Sequence, residues 1–295
     1  MKYEKILAEA DKGSVFSDAQ FPPTDQSLGP NCLNRGVSKW LRARDKPNCR
    51  IFKDKINSLD VVQGALGDCY FLSAISVLGE KYVRRIIIST EEEWRKSGCF
   101  YVTFFRDGEA EEVIIDDFFP AFPNDDWAFA KGDDDGTELW PMVLEKAYAK
   151  MYGSYNFIEA GKVQYALSDM TDGFPEQIDL KLDGQNLNSL WQKIHTLSRY
   201  GSLLGAGSPD NALGDRAINE MGIVQGHAYA VLQVAEVDSH RLLQLRNPHG
   251  SRGVEWNGDW ADGSEKWDQR MRNKLGYQAQ AVDGVFWMEL HDFVH

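Results

Sequence analysis

Residues 63–72 have the sequence QGALGDCYFL, in which a glycine-rich turn leads into an apolar segment. From Cys69 to Leu78 there is neither Gly nor Pro, and the apolar side chains recur at the spacing of one helix face. Asp68 stands directly before this run, where an N-cap residue is expected. The pattern predicts a turn that delivers Cys69 to the N-terminus of a helix.

A cysteine in this position can be a nucleophile. Unpaired backbone N–H groups and the positive end of the helix dipole favour a thiolate over a thiol at Cys69. Gln63 lies upstream in the same turn and can fold back to offer its amide N–H₂ near the sulfur, as an oxyanion donor does. The alternative is that Cys69 is a small buried hydrophobe, which is the commoner role of a lone cysteine.

Composition and charge limit the class of protein. The chain has 295 residues, 43% of them hydrophobic, and nine Trp, which is enough to fill the cores of two lobes. The formal net charge of −13 argues against nucleic acid as a partner. No apolar run approaches the roughly 18 residues of a membrane span, and the N-terminus does not resemble a signal peptide. We therefore expect neither a membrane span nor a nucleic-acid partner.

The cysteines and the acidic runs give no sign of a metal site by themselves. The four cysteines are widely spaced and form neither a CxxC pair nor a metal-binding pattern. This usage fits reduced thiols in a cytoplasmic protein. The acidic runs at 125–126 and 133–135 are expected to be solvated loops rather than ion sites.

Hydrophobic periodicity predicts an α+β protein with two lobes. The first half reads as mostly helical and the second as mostly strand, so we place the lobes at residues 1–160 and 161–295. The first predicted helix is followed by a Pro-containing extended stretch at 16–23 and then by loop up to about residue 58, and residues 84–88 and 91–94 are ambiguous. Helices are predicted at 3–11, 69–78, 137–152 (capped by Thr137) and 187–200. Strands are predicted at 99–105, 112–118, 202–204, 227–237, 241–246 and 285–290, the first two forming a hairpin.

Two stretches of the second half supply further candidate residues. His227 lies at the start of a strand, after a glycine that lets another backbone approach closely. Asn247 lies where the following strand ends in a turn. The Asp238-Ser239 turn joins the two strands as a hairpin, which would bring His227 and Asn247 to the same end. Each residue alone has a plainer role, because a His at a strand start is usually structural and Asn before Pro is usually turn chemistry.

Together the candidate residues fit a cysteine hydrolase. Its thiol needs a base, the base needs an orienting group on its other nitrogen, and the developing oxyanion needs preorganised donors. Asparagine suits the orienting role because its side-chain oxygen accepts from one imidazole nitrogen and so fixes the tautomer. The order is Gln63, Cys69, His227 and Asn247, and the separation of about 160 residues between cysteine and histidine is near the papain-like range.

Six stretches of the chain resemble the protease core of the calpain family, which are papain-like cysteine endopeptidases regulated by calcium. They are QGALGDCYFLSAIS around Cys69, LWPMVLEKAYAKMYGSY from Leu139, GHAYAV at His227, LRNPHG at Asn247, VEWNGDWADGSEKW from Val254 and DGVFWMELHDFV near the end. The resemblance implies an α-rich first lobe, a β-rich second lobe and an active site between them. Nothing resembles the family's β-sandwich or EF-hand domains, so we expect a protease core alone.

The resemblance also assigns roles and partners. Cys69, His227 and Asn247 match the family's triad, and Gln63 matches its oxyanion-hole glutamine. This implies a cytoplasmic endopeptidase that makes limited cuts in proteins or peptides through an acyl-enzyme, with regulatory domains or subunits outside this chain. The alternative is a weakly active or inactive member that binds peptides or serves as a scaffold. The complete triad favours the protease.

Regulatory calcium is a further implication of the resemblance. The matching positions hold Asp60 and Glu138 in the first lobe, and Glu255, Asp262 and Asp283 in the second. Ordinary surface carboxylates are the alternative reading of these acids. Calcium takes six to eight oxygen ligands, so each missing carboxylate weakens a site.

Three positions depart from the family's pattern. Val285 stands where another acidic ligand is usual, so the first-lobe site is expected to bind calcium more tightly than the second. Tyr70 replaces the usual Trp after the cysteine, and His249 replaces the usual Trp after Asn-Pro. That second Trp normally shields the His–Asn hydrogen bond from water. His249 is therefore expected to change the pH dependence or to slow the enzyme.

Overall fold

A computed structural model describes residues 2–132, 135–183, 186–210, 217–278 and 282–295. Contacts divide the chain into two compact units, a first unit from Met1 to Phe174 and a second unit from Pro175 to His295. Both units contain helices and sheets, as the predicted α+β class requires. Asp133 and Asp134, which belong to the acidic run expected to be a solvated loop, lie outside the described residues.

The first unit combines helices with two small antiparallel sheets. Its strands pair as β1 with β4 and as β2 with β3. The helices are α1 (Lys2–Ala10), α2 (Asp25–Leu28), α3 (Cys69–Val77), α4 (Glu80–Ile86), α5 (Glu91–Ser97), α6 (Trp140–Tyr152) and α7 (Val163–Thr171). The strands are β1 (Lys39–Arg42), β2 (Cys99–Arg106), β3 (Glu109–Asp116) and β4 (Phe118–Ala121).

Helix α3 is the centre of the first unit. Its side chains from Tyr70 to Ser76 are all buried, and Phe71 stacks on Tyr148 of α6 with ring centroids 4.4 Å apart. Helix α7 packs against both α3 and β2. Because of this packing the first unit extends to Phe174, so the lobe boundary that we placed at residue 160 falls before a helix that belongs to the first unit.

The strands of the first unit were only partly predictable. The β2–β3 hairpin follows the expected alternation, and its turn residues Asp107 and Gly108 both have positive φ, as a tight two-residue turn requires. The prediction of loop up to residue 58 is wrong, because β1 pairs with the distant β4. A four-residue strand with half-buried side chains carries no alternation that would mark it in the sequence.

The second unit is built on one antiparallel sheet in the order β5-β6-β7-β8. Two clusters of apolar side chains pack on opposite faces, since Leu243 and Phe286 belong to one cluster and their neighbours Leu242 and Trp287 to the other. The strands are β5 (Leu204–Gly207), β6 (Ala228–Val237), β7 (His240–Arg246) and β8 (Val285–Glu289). The helices are α8 (Leu180–Asp183), α9 (Leu187–Arg199), α10 (Gln269–Leu275) and α11 (Leu290–Val294).

Several element boundaries differ from the predictions. Helix α6 begins at Trp140, and Thr137 does not cap it, because the Thr137 hydroxyl donates to Asp135. Strand β5 begins at Leu204 rather than at residue 202. The ambiguous stretch 84–88 begins in α4, which ends at Ile86, and 91–94 lies in α5, with Thr90 and Glu93 forming a capping box before α5. In the described part of the chain, no helix combines the length and the apolar character needed to cross a membrane.

Candidate functional site

The turn before Cys69 is held against a strip of backbone at residues 128–131. Val62 and Lys131 exchange backbone hydrogen bonds of 3.0 and 3.1 Å, and the Ala65 N–H donates to the Ala128 carbonyl at 2.8 Å. A Cβ atom at Gly64 would lie 2.2 Å from the Phe129 carbonyl oxygen, so only glycine fits this approach. The turn therefore takes its shape from backbone contacts with a distant segment.

Cys69 is the first residue of α3, as the sequence predicts. The Phe71 and Leu72 N–H groups donate to the Asp68 carbonyl at 2.8 and 3.1 Å, which starts the helix at this point. The Cys69 side chain is partly exposed. A thiol at the positive end of a nine-residue helix is stabilised as thiolate by the helix dipole.

The other three cysteines lie in environments that suppress their reactivity. None of the four cysteines forms a disulfide, and Cys32, Cys49 and Cys99 are buried. Burial raises the pKa of Cys32 to about 12, and it also raises the pKa values of Cys49 and Cys99. These three thiols stay protonated at neutral pH, so Cys69 is the only cysteine with both exposure and a helix N-terminus.

The Gln63 side chain folds back over its own turn. Its Nε2 donates to the Leu66 carbonyl at 2.8 Å, and the residue is 5% exposed. This hydrogen bond fixes the orientation of the Gln63 amide, because the flipped amide would place its Oε1 against the Leu66 carbonyl oxygen. An amide nitrogen carries two N–H groups, so one remains for a further acceptor. The geometry suits the predicted role of oxyanion donor.

Asp68 does not cap the helix as the sequence suggested. It occupies the N-cap position, but its side chain makes no capping bond to the backbone of α3. The side chain is fully buried and interacts instead with Glu145 of α6. Glu145 was not singled out from the sequence, because a carboxylate within an amphipathic helix pattern is normally expected on the solvent-exposed face.

His227 and Asn247 come together at one end of the β6–β7 hairpin. Ala230 pairs with Arg246, and His227 and Asn247 both lie beyond this last pair, at the same end of the hairpin. His227 Nε2 and Asn247 Oδ1 are 2.9 Å apart, and the two residues are 2% and 0% exposed. The register of the hairpin thus produces the contact that the sequence pattern predicts.

The surroundings of Asn247 fix the direction of this bond. Asn247 Nδ2 donates to the Val254 carbonyl at 3.3 Å, and Oδ1 accepts the backbone N–H of His249 at 3.0 Å. Oδ1 is therefore the atom that faces His227, and because it can only accept, His227 carries its proton on Nε2. That tautomer leaves Nδ1 as the basic nitrogen of the neutral ring, which is what a general base needs.

Aromatic and imidazole rings enclose the His227 ring. Tyr229 meets it edge-on at 5.1 Å, and the His249 ring lies 4.5 Å away, tilted by 31°. The backbone is fixed as well, because the His227 N–H donates to Ser208 Oγ at 3.0 Å. His249 therefore covers one face of the His227 ring.

Tyr70, the other departure near the site, is fixed by close contact with the backbone. A Cβ atom at Gly161 would lie 2.5 Å from Cζ of Tyr70, so the ring is packed flat against this glycine. Tyr70 is 6% exposed, and burial raises the pKa of its hydroxyl above the ordinary range. The Tyr70 ring thus packs between α3 and the backbone at Gly161.

The predicted calcium ligands of the first unit are used in local structure. Asp60 closes a capping box, with Oδ2 accepting the Asn57 N–H at 2.7 Å and Oδ1 accepting Asn57 Nδ2 at 2.8 Å. Glu138 is 4% exposed, and its Oε1 accepts the Lys53 N–H at 3.0 Å. In this arrangement both carboxylates already serve backbone and side-chain donors.

The three predicted ligands of the second unit lie close enough to influence one another. Burial, with the neighbouring charge of Glu255, raises the pKa of Asp262 to about 6. Burial also raises the pKa of Glu255, with a contribution from Asp283. Glu255 accepts the Gly284 N–H at 2.6 Å.

Carboxylates are the ligands that calcium prefers, but these acids do not converge on one point. Among the described residues, no group of three or more His, Cys, Asp or Glu side chains could hold a metal ion. Val285, where the family has an acid, contributes only its N–H, which donates to Asp283 Oδ1. No step of the chemistry below uses calcium.

The structure therefore groups the catalytic candidates in two pairs. Gln63 and Cys69 begin and end one turn of the first unit, whereas His227 and Asn247 are hydrogen-bonded in the second unit. A partly exposed cysteine at a helix N-terminus, an amide donor in the turn that precedes it and an Asn-oriented imidazole are the groups that cysteine-dependent acyl transfer requires.

Comparison with known proteins identifies the family. The sequence profile of the calpain family cysteine proteases matches residues 16–295. The chain is 42% identical to the calpain-type cysteine protease ADL1 of Oryza sativa subsp. japonica over 308 residues, which cover 98% of this chain and 14% of the relative. It is 36% identical to calpain-8 of Rattus norvegicus over 302 residues, which cover 96% of this chain and 42% of the relative. This chain belongs to the calpain family of cysteine proteases.

A third relative extends the same picture. The calpain-1 catalytic subunit of Sus scrofa is 34% identical over 310 residues, which cover 99% of this chain and 42% of the relative. The chain thus spans less than half the length of these relatives. What the comparisons define is the cysteine protease family of this core.

Proposed function

We propose that this chain is a cysteine endopeptidase that cuts peptide bonds in proteins. In this proposal Cys69 is the nucleophile, His227 the general base, Asn247 the group that orients it, and Gln63 an oxyanion donor. The observation that carries the proposal is the buried 2.9 Å contact between His227 and Asn247, whose direction is set by the Asn247 amide. This pair has a clear use only if the other nitrogen of the imidazole serves a nucleophile.

The chemistry follows from these four groups. The Cys69 thiolate attacks the carbonyl carbon of the scissile bond, and the negative oxygen that forms accepts hydrogen bonds from the Gln63 amide and a backbone N–H. The tetrahedral intermediate collapses, the C–N bond breaks, and the imidazolium of His227 gives its proton to the leaving amine. A water molecule, activated by neutral His227, then hydrolyses the thioester and regenerates the thiol.

We infer a papain-like arrangement, with an active site between an α-rich and a β-rich lobe. Support comes from the distribution of the parts, because the nucleophile and the base belong to different compact units. Protein or peptide segments are the proposed substrates. Domains or subunits outside this chain are the proposed regulators, which fits the short share of each relative that the chain covers.

A peptide-binding module with weak or no catalysis is the second candidate. The observation that favours it is the His249 ring 4.5 Å from His227, because a second imidazole there repels the imidazolium that catalysis needs whenever it is itself protonated. The presence of all four catalytic candidates favours the protease. Turnover of an unfolded protein substrate separates the two.

Alkylation by a peptide-based electrophile tests the assignment of the nucleophile. We expect one equivalent of label on Cys69, loss of peptidase activity with the same time course, and no activity in Cys69→Ser protein. Cys32→Ser is the control, because that thiol is buried and its loss should leave labelling unchanged. Label on Cys32, Cys49 or Cys99 in an active preparation would reject Cys69 as the nucleophile.

Calcium enters the proposal only as a regulator. The carboxylates that would hold it are Asp60 and Glu138 in one unit and Glu255, Asp262 and Asp283 in the other, and the ion would supply charge neutralisation there. Calorimetric titration of calcium into Cys69→Ser protein, alone and with Asp60→Ala or Asp262→Ala, tests this. Asn57→Ala is the control, since it breaks the same capping box as Asp60→Ala but keeps the carboxylate. Absence of binding heat would remove calcium from the proposal.

A cytoplasmic location is also part of the proposal. It is supported by four cysteines without a disulfide, three of them buried as thiols, since such usage fits a reducing compartment. Fractionation of cells that express the full-length protein tests this, with membrane and secreted fractions as the contrary outcomes.

A further inference from the structure

Two carboxyl groups lie in the interior of the first unit next to the nucleophile turn. Asp68 directly precedes Cys69 and is 0% exposed, and Glu145, from the middle of α6, is 1% exposed. The Asp68 side chain interacts with the carboxyl group of Glu145, and in the part of the chain that the structure describes no side chain with an ordinary N–H or O–H donor bonds to either Asp68 oxygen. Buried carboxylates without such donors are rare, because the loss of hydration is not offset.

Glu145 connects this pair to the wall of the turn. Its Oε1 accepts the Ala130 N–H at 2.9 Å. Ala130 belongs to the 128–131 strip, which bonds to Ala65 and Val62 on the other side. Glu145 therefore fixes the strip against which the turn from Gln63 to Cys69 lies.

The electrostatics of the pair exclude two full charges. Burial, together with the nearby charge of Glu159, raises the pKa of Asp68 to about 7. Burial and the charge of Asp68 raise the pKa of Glu145 well above its usual range. Two adjacent carboxylates in a low-dielectric interior repel strongly, so one of them keeps its proton.

Among the described residues, the groups that act most strongly on Asp68 and Glu145 offer no free counter-charge. Arg35, a cation that lowers the pKa of Asp68, is engaged in an ion pair with Glu159. Tyr70, Tyr155 and Cys32 also lie near the pair, but they are acids whose pKa values burial raises, so they supply no positive charge. A proton is thus the available means of reducing the charge of the pair.

We propose that Asp68 and Glu145 hold at least one proton between them and form a positioning pair that fixes the turn from Gln63 to Cys69. Glu145 holds this proton, presents its hydroxyl to Asp68 and keeps its other oxygen on the Ala130 N–H. The pair ties the residue before the nucleophile to the strip behind the turn. The link to catalysis rests on the proposed role of Cys69, whereas the shared proton does not.

Amide substitutions test whether the pair works as neutral hydrogen-bonding groups. Gln in place of Glu145 keeps an acceptor for Ala130 and a donor for Asp68, and Asn in place of Asp68 keeps an acceptor of similar shape. We expect Glu145→Gln and Asp68→Asn to retain kcat within about threefold of the unsubstituted protein. Glu145→Ala should lower kcat by about tenfold or more with little change in KM, because small displacements of a nucleophile reduce rates steeply.

Rates are to be expressed per active site, titrated with the alkylating electrophile, so that misfolded protein is not counted. Rescue of the Glu145→Ala defect by Glu145→Gln supports the proposal, because a filled cavity alone would not require a donor and an acceptor. The control is Glu145→Met, which fills similar volume without either. Equal rates for the Met and Gln variants, or loss of activity in both amide variants, would overturn the positioning role.

Infrared spectroscopy tests whether the Asp68–Glu145 pair holds a proton, and it requires no catalytic activity. In Cys69→Ser protein at pH 8 we expect the carbonyl stretch of a neutral carboxylic acid, shifted in D₂O and missing after the further change Glu145→Gln. Absence of this band from the Cys69→Ser protein would show that both groups are ionised and would overturn the shared proton. If the band is found while Cys69 proves not to be the nucleophile, only the proposed function fails.

Discussion

The turn that carries Cys69 and the strand ends that carry His227 and Asn247 are held by different kinds of contact. In the hairpin, the site is held by hydrogen bonds of a side chain. The Asn247 amide oxygen hydrogen-bonds to the His227 imidazole, and the amide nitrogen hydrogen-bonds to a carbonyl of its own loop. In the turn, distant backbone fixes the shape, through the contacts of Gly64 and Ala65 with residues 128–131. The acid beside the nucleophile, Asp68, is buried, and its side chain interacts with a second buried carboxyl group, that of Glu145.

The difference shows where each half of the proposed chemistry is sensitive. A hairpin with a fixed register tolerates change away from its ends, because strand pairing alone places the base. A turn shaped by one close backbone approach fails when that approach is blocked, whatever the nearby side chains are. Substitutions in the two regions should therefore separate loss of a reacting group from loss of a shape.

His227→Ala should have the largest effect. The thiol and the imidazole react as one unit, so we expect a loss in kcat of about 10⁴-fold or more, close to that of Cys69→Ser. The double variant should be little worse than either single one. Initial rates on a peptide substrate, with folding checked by circular dichroism, measure this. Additive losses in the double variant would show that the two residues do not act together.

Gln63→Ala comes next, with an expected loss of about 10²–10³ in kcat, the usual value of one oxyanion donor. The Gln63 side chain also donates to Leu66, so its removal could disturb the turn. The rate of Cys69 alkylation distinguishes the two effects, because alkylation needs the thiolate but forms no oxyanion. Unchanged alkylation with slow turnover supports the oxyanion role, and full peptidase activity would contradict it.

Gly64→Ala tests the shape of the turn without removing a reacting group. Its Cβ would lie 2.2 Å from the Phe129 carbonyl oxygen, so we expect a loss of about 1–3 kcal/mol in the free energy of unfolding and slower alkylation of Cys69. Gly67→Ala is the matched control, because the nearest atoms to its Cβ are 3.8 Å away. Chemical unfolding curves of both variants measure this. Equal stability would show that the turn can shift.

The hairpin is the part of the site that the sequence predicts well. Alternation and turn residues defined strands β6 and β7 within about one residue at each end, and the register then places His227 beside Asn247. Local rules suffice here because the pairing partners are adjacent in sequence.

The surroundings of the nucleophile turn could be predicted only in part. The sequence marks Cys69 as the first residue of a helix, and its local pattern is enough for that. It does not show that Gly64 approaches Phe129 or that Glu145 reaches Asp68, because both contacts join segments more than 60 residues apart in chain order. The same reason explains the missed strand β1, whose partner β4 is equally distant.

Asn247→Ala should cost less than any change of a reacting group. The base remains, but its ring loses the acceptor that fixes the tautomer, so we expect a loss on the order of ten- to a hundredfold, below the full value of a general base. Asn247→Asp is the matched control, since it keeps an oxygen for His227 and loses the donor to Val254. Rates from pH 5 to 9 measure both. A loss as large as that of His227→Ala would mean that Asn247 does more than orient the base.

Asp68→Asn should change stability rather than rate, and its effect depends on pH. Burial raises the pKa of Asp68 from 3.8 to about 7. A carboxyl with a raised pKa binds its proton more tightly in the folded state, so stability is greatest below about pH 4 and falls as pH rises through about 7. Asparagine cannot ionise, so the variant lacks this fall.

The gain in stability from Asp68→Asn should therefore be near zero at pH 4 and on the order of 2–4 kcal/mol at pH 8. Urea unfolding at the two pH values, followed by the fluorescence of the buried tryptophans, measures the difference. Asp54→Asn is the control, because that carboxylate is exposed and should give the same small change at both pH values. A gain at pH 8 no larger than at pH 4 would mean that Asp68 is stabilised as a carboxylate. The polar groups of the turn would then be as well hydrogen-bonded as those of the hairpin, and the two regions would no longer differ in this respect.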